Sequence, residues 1–152
     1  MFPTILALHS LFRWLMCVLL LLSIGVAWHG LQTGSMFSPW KNRLRHYTAT
    51  ITHIQLMFGI WIYSQSALVK YFFSAGNNDF GQPGFFAVVH ILIMLAAVVF
   101  ITLGSAFAKR KTLAGEKYRT MLCWFVAALV LVLIAVPWPF SPFAQRVLFR
   151  SF

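Results

Sequence analysis

Histidines are the residues of this chain best suited to chemistry, because imidazole binds metal ions and forms hydrogen bonds near neutral pH. The chain has five of them and two carboxylate side chains, Asp79 and Glu116, and both carboxylates fall in predicted loops. His90 stands out because it lies within the apolar stretch 84–109. An ionisable residue inside such a stretch indicates a functional site, since its placement in lipid is costly. Reactions that need paired carboxylates inside the membrane are disfavoured.

Four apolar stretches must position these histidines. The chain of 152 residues is 61% hydrophobic and 9% charged, whereas soluble domains average about 25% charged residues. A helix needs about 20 apolar residues to cross a bilayer. We therefore predict one all-α domain over 1–152, an integral membrane four-helix bundle of up-down-up-down topology. The predicted spans are 3–30, 45–73, 84–109 and 116–136, and a tail over 140–152 is predicted to lie along the membrane surface.

The basic residues set the predicted orientation of the bundle. The formal net charge is +10, a balance that in a soluble protein would suggest nucleic acid. Here the cations cluster beside the apolar stretches, chiefly over 41–45 and 109–119, which is typical of topology signals and of contact with anionic lipid headgroups. Because positive loops stay in the cytoplasm, both termini are predicted to lie on the outer side. The predicted partner is the lipid bilayer, with no nucleic acid.

Depth along the helices pairs His9 with His90. At about 1.5 Å per residue, both lie near the outer ends of their helices and at comparable depth. Two neutral imidazoles from two helices at one depth are what axial ligation of a b-type haem requires. His29 and His46 fall at the opposite end of the bundle. They could form a second pair of ligands or lie at the membrane interface without a site, and their role stays open. His53 lies deeper and has no histidine at its own depth.

Plainer interpretations stand beside the ligand hypothesis. A histidine in a span often makes only a hydrogen bond to a neighbouring helix. Arg13 lies one turn below His9 on the same face, where it could meet a haem propionate, a quinone or a lipid headgroup. It could equally extend its side chain towards the membrane surface. Cys17 and Cys123 fall within predicted spans and no CxxC motif is present, so both are interpreted as buried thiols.

Four short motifs occur in one order along the chain: HSLFRW from His9, HIQLMFGIWIY from His53, VVHILIM around His90, and VPWPF from Val136. In these motifs the chain resembles the small four-helix membrane proteins of Bacteroidota and relatives that are often labelled cytochrome b-like. The resemblance covers nearly the whole chain and implies that His9, Arg13, His53 and His90 occupy motif positions. The fourth span lacks a histidine, unlike well-known dihaem cytochromes b, which disfavours a two-haem arrangement.

The resulting expectation is a haem b-binding protein for electron transfer in the bacterial inner membrane, as a subunit or partner of a larger respiratory or photosynthetic complex. The predicted cofactor-binding residues are His9, Arg13, His53 and His90, with His9 and His90 as metal ligands. No catalytic site of its own is expected. Three alternatives remain: a cofactor-free accessory subunit that binds lipid or quinone, a subunit that holds a chlorophyll-type pigment on one histidine, and a small transporter.

Overall fold

The computed structural model describes residues 1–74 and 81–138, and the regular structure in these ranges is helical throughout. Five helices follow one another: α1 (Phe2–Thr33), α2 (Pro39–Gln65), α3 (Ala67–Ser74), α4 (Gln82–Arg110) and α5 (Ala114–Ala135). The all-α prediction is confirmed for the described residues. Asp79 and the predicted surface tail over 140–152 lie outside them.

Three of the helices are long and apolar enough to cross a membrane. They are α1, α4 and α5, whose most apolar segments have mean hydropathies of 2.1, 2.8 and 2.1. This finding supports the prediction of a membrane protein. Helix α2 has the necessary length, at 27 residues, but it is less apolar because threonines, His53 and Gln55 interrupt its hydrophobic residues.

Helix α2 ends earlier than the sequence predicts. The single span expected over 45–73 is divided at Ser66, whose backbone is extended with a ψ of 121°. Ser66 also begins α3, because its hydroxyl accepts a hydrogen bond from the Val69 N–H at 3.4 Å. Serine is a preferred residue at a helix start for this reason. Helix α3 then packs against the first turns of α4.

Helix α5 supplies the centre of the packed core. This helix packs against α4 and α1, and α2 packs against α1 and α4. Gly104 of α4 allows a close approach to α5, since a Cβ at this position would collide with Trp124. Gly30 of α1 likewise leaves room for the ring of Tyr118. The buried residues of α5 recur at the spacing of one helix face: Tyr118, Met121, Phe125, Ala128, Val132 and Ala135.

Polar contacts join the helices at the end where α1 connects to α2. Arg45 is 4% exposed, and its Nη1 donates to the backbone carbonyl of Ser105 at 2.7 Å and to the Ser105 hydroxyl, which links α2 to α4. Its Nη2 donates to the Asn42 side-chain oxygen at 2.9 Å. Ser23 and Thr48 share a hydrogen bond of 2.8 Å between α1 and α2. These bonds satisfy buried polar groups that would otherwise destabilise the interior.

Candidate functional site

A cavity of about 370 Å³ lies between the five helices, in the half of the molecule that contains the amino terminus. Most of its wall is aliphatic or aromatic, and polar side chains reach it from α1, α2 and α4. Ligand pockets are typically about 300–1,000 Å³ in volume and combine apolar walls with a few placed polar groups. The polar residues that line this cavity are His9, Ser10, Arg13, Thr52, Gln55, Tyr63, Ser66 and His90.

Three of the four predicted site residues meet at this cavity: His9, Arg13 and His90. The two histidines belong to α1 and α4, which are distant in sequence. The Arg13 guanidinium donates from Nη2 to the Ser10 hydroxyl at 3.3 Å and lies 5.5 Å from the ring centroid of Trp14. Arg13 therefore places a positive charge on the cavity wall beside the two imidazoles.

His53 lies outside the cavity, in contrast to its predicted role as a cofactor-binding residue. It is exposed on α2, and its Nε2 lies 2.9 Å from the Thr102 hydroxyl. Because that hydroxyl donates its own proton to the Val98 carbonyl, His53 is the donor in this bond. His29 and His46 are also exposed and do not line the cavity. The structure therefore separates these three histidines from His9 and His90.

His90 is held in one tautomer by the end of a neighbouring helix. Its Nδ1 lies 2.8 Å from the backbone carbonyl oxygen of Ala135 in α5. A carbonyl oxygen only accepts hydrogen bonds, so Nδ1 carries the proton and donates it. Nε2 then keeps its lone pair, and the described residues make no hydrogen bond to it. The rings of Phe85 and Phe86 pack beside the imidazole at centroid distances of 5.9 and 5.8 Å.

The Ala135 carbonyl is available to His90 because α5 ends there. In a continuing helix it would accept the N–H four residues later, but residue 139 is proline, which has no N–H. The backbone of Val136 is already extended, with a ψ of 129°. The VPWPF motif thus leaves a helix-end carbonyl without a helical donor, and His90 supplies one.

His9 packs against α2. Its Cε1 is 3.4 Å from the point where a Cβ on Gly59 would lie, so the glycine makes room for the ring. Its Nε2 is 3.3 Å from the side-chain nitrogen of Gln55. The Nδ1 of His9 and the Oε1 of Gln55 are buried without a hydrogen-bond partner among the described residues. A half-turn of the Gln55 amide exchanges its oxygen and nitrogen, and it thereby decides which nitrogen of His9 carries the proton.

With the Gln55 amide oxygen turned towards His9, Nε2–H donates to Gln55 and Nδ1 keeps its lone pair. Each histidine then has one nitrogen held by a neighbouring helix and a second nitrogen with a lone pair, and that second nitrogen of His9 is buried. Metal-ligating histidines usually have their other nitrogen held in this way. The sequence analysis did not include Gln55 and Gly59 in the site, although their spacing of four residues places them on one helix face.

Tyr63 stabilises the irregular start of α4. The sequence analysis did not include this residue in the site either. The segment Phe85–Val89 forms a π-helical turn, which closes with the His90 N–H donating to the carbonyl of Phe85, five residues earlier. The Tyr63 hydroxyl donates to the Ala87 carbonyl within this turn at 2.9 Å. Such turns occur frequently at functional sites. Tyr63 thereby holds the backbone segment that leads into His90.

No family model, curated protein or solved structure matches the chain, so the resemblance to cytochrome b-like proteins stays a prediction from four motifs. The described residues contain no group of three or more histidine, cysteine or carboxylate side chains that could hold a metal ion. The cavity instead offers a pair of imidazoles together with Arg13. Imidazole and guanidinium groups in such a cavity could bind a metal-containing ring, form hydrogen bonds or attract an anion.

Proposed function

We propose that this protein binds one haem b in the cavity and transfers electrons within the membrane. The observation that carries the proposal is the bond from His90 Nδ1 to the Ala135 carbonyl at 2.8 Å, which leaves Nε2 with its lone pair at a cavity that His9 also lines. Neutral imidazole with its second nitrogen oriented by a carbonyl is the usual form of a metal-ligating histidine.

The residues at the cavity suit this group. His90 and His9 would hold the iron, and the Ala135 carbonyl and the Gln55 amide would orient the two rings. Arg13 would balance the negative charge of the haem propionates, and the aliphatic walls would exclude water. The haem supplies reversible one-electron chemistry of iron when it is bound, and the protein supplies ligands, orientation and a medium of low polarity.

The protein's place in the cell is part of the same proposal. We propose that α2 crosses the membrane together with α1, α4 and α5, because it packs against α1 and α4 and has sufficient length. The four spans then run up and down in the bacterial inner membrane with both termini outside, since the basic residues cluster at the other end. The protein would serve as a subunit or partner of a larger respiratory or photosynthetic complex, without a catalytic site of its own.

The orientation is tested with a single cysteine at position 111, after Cys17 and Cys123 are replaced by serine. Lys111 is exposed at the end of α4. In sealed spheroplasts we expect Lys111→Cys to resist a membrane-impermeant maleimide until the membrane is permeabilised. Labelling from outside in intact spheroplasts would reverse the proposed orientation.

Absorption spectra test haem binding. The protein should be purified from cells supplied with a haem precursor, and spectra should be recorded in the oxidised and the dithionite-reduced states. We expect a sharpened visible band on reduction and one haem per chain by chemical haem determination. A colourless protein from haem-replete cells would contradict the proposal.

A second candidate function has a specific observation in its favour. His9 already has a partner in Gln55, at 3.3 Å, so a cavity without haem has its own internal hydrogen bond. His9, Gln55 and Arg13 could then bind the carbonyl oxygens of a quinone, and the protein would be an accessory subunit without a haem. Quinone extracted from a colourless protein would favour this function. A pigment bound by His90 alone would instead be detected in the absorption spectra described above.

A further inference from the structure

A second concave surface lies on the outer side of α1, far from the cavity that His9 and His90 line. It is a groove of about 410 Å³, formed by the second half of α1 and the first turn of α2. Its central residue, Gly25, lies about 24 Å further along α1 than His9. The groove residues are Leu21, Leu22, Gly25, Val26, His29, Trp40 and Lys41. The aliphatic part follows α1, and the polar residues are grouped at the end near the α1–α2 connection.

Gly25 makes no close approach to another helix in the part of the chain that the structure describes. It lies in the interior of a long helix, where glycine costs about 1 kcal/mol relative to alanine, and a Cβ at this position would meet no atom within 4 Å. Gly30 in the same helix is different, because a Cβ there would collide with the ring of Tyr118. The space that Gly25 leaves open is therefore outside the helix packing. It deepens the groove between the side chains of Leu21, Leu22 and Val26.

The polar end of the groove carries the positive charge of Lys41. The Lys41 ammonium donates to the Ser35 hydroxyl at 2.9 Å, the Met36 carbonyl at 3.0 Å and the Tyr118 hydroxyl at 2.6 Å. These three neutral oxygens use all three N–H groups of the ammonium, so Lys41 attracts an anion through its charge and not through a further hydrogen bond. His29 adds an exposed imidazole beside it.

Trp40 also lines the polar end of the groove, and its exposed indole is typical of residues at a membrane surface. Its indole is 53% exposed and lies 5.8 Å from the Lys41 ammonium. Tryptophan and basic residues are enriched where the hydrocarbon core of a membrane meets the headgroups. A ligand that fits the whole groove therefore has a long apolar chain and a negatively charged head. An anionic phospholipid has both properties. The net charge of +10 of the protein also favours an anionic ligand.

We propose that this groove is a binding site for one anionic phospholipid. An acyl chain lies along Leu21, Leu22 and Val26 over the gap at Gly25, and the phosphate lies beside His29, where the charge of Lys41 attracts it. The site is independent of the haem proposal, because it shares no residue with the cavity.

Native mass spectrometry of the detergent-purified protein tests this site. The probes are phosphatidylglycerol and phosphatidylcholine with identical acyl chains, which are titrated against the delipidated protein. We expect the wild-type protein to retain phosphatidylglycerol about fivefold more strongly, since one basic residue near a membrane surface contributes about 1 kcal/mol to anionic lipid binding. Equal retention of the two lipids would overturn the proposal.

Matched variants locate the lipid. Gly25→Leu should fill the gap, and its Cβ meets no described atom within 4 Å, so the protein should fold and lose the retained lipid. Gly115→Leu is the control, because a Cβ at Gly115 also meets nothing within 4 Å and Gly115 is not part of the groove. Lys41→Gln should remove the preference for phosphatidylglycerol, and Lys41→Arg should restore it. If folded Gly25→Leu retains phosphatidylglycerol as the wild type does, or if Lys41→Gln keeps the full preference, the proposed site is wrong.

Discussion

His90→Ala is expected to abolish the low-spin absorption spectrum of the haem-loaded protein. The substitution removes one of two iron ligands and leaves the Ala135 carbonyl without the donor that it has at 2.8 Å. Loss of a residue that merely orients a metal ligand typically lowers metal affinity by about 10–100-fold. Loss of the ligand itself should lower haem affinity by more than about 100-fold, which a haem titration followed by absorbance would measure.

His53→Ala is the matched control for this experiment. It removes the same side chain from α2, but at an exposed position where the imidazole donates to Thr102 and does not line the cavity. The spectrum and the haem affinity of this variant should stay close to those of the wild type. If His53→Ala removed the spectrum and folded His90→Ala preserved it, the cavity would not be the haem site.

Gly104→Leu is expected to have the largest effect on stability. A Cβ at this position would collide with the Cβ of Trp124, and it would lie 3.4 Å from the ring of Phe125. The Cβ of Trp124 is fixed to the backbone of α5, so α4 and α5 can only accommodate leucine by moving apart. Inserting atoms into a packed core typically costs about 1–3 kcal/mol, and a collision with a backbone-anchored atom should exceed that range.

Thermal unfolding of the purified variants in detergent, followed by circular dichroism, measures this effect. Gly25→Ala is the control, because its new methyl group meets no atom within 4 Å and alanine favours a helix by about 1 kcal/mol over glycine. We expect a lower melting temperature for Gly104→Leu and an unchanged or higher one for Gly25→Ala. Equal melting temperatures for Gly104→Leu and the wild type would contradict the close packing of α4 and α5.

Depth along the helices was sufficient to bring His9 and His90 together from the sequence. Both residues are placed by counting from the ends of apolar stretches, and in the structure both line the same cavity. The groups that hold the two rings could not be found in this way. The Ala135 carbonyl is a backbone atom, and only the end of α5 makes it available to His90.

Helix rotation explains why Gln55 lines the cavity and His53, the residue named in the sequence analysis, does not. Successive residues of an α-helix are rotated by about 100° around its axis. Residues that are two apart in sequence therefore point about 200° apart, in nearly opposite directions. Gln55 and Gly59 face the cavity, and His53 therefore faces outwards. The motif HIQLMFGIWIY contains all three residues, but a motif match does not indicate which of its faces is buried.

The sequence analysis did not predict the interruption at Ser66, because the hydrophobic stretch continues on both sides of it. The residues on both sides of Ser66 are apolar enough for one span, and serine is common in membrane helices as a partner in hydrogen bonds. Here its hydroxyl instead accepts from the Val69 N–H and starts a second helix. Tyr63, near the end of α2, and Ser66 both line the cavity.

Electron paramagnetic resonance of the oxidised, haem-loaded protein tests the central claim most directly, because low-spin and high-spin ferric haem give different signals. If His9 and His90 are the two axial ligands, the wild-type protein should show a low-spin signal from one haem per chain. The variant His9→Ala, folded as judged by its melting temperature, should show a high-spin signal or no haem. A high-spin signal in the wild type, or a low-spin signal that His9→Ala leaves unchanged, would contradict the proposed ligand pair.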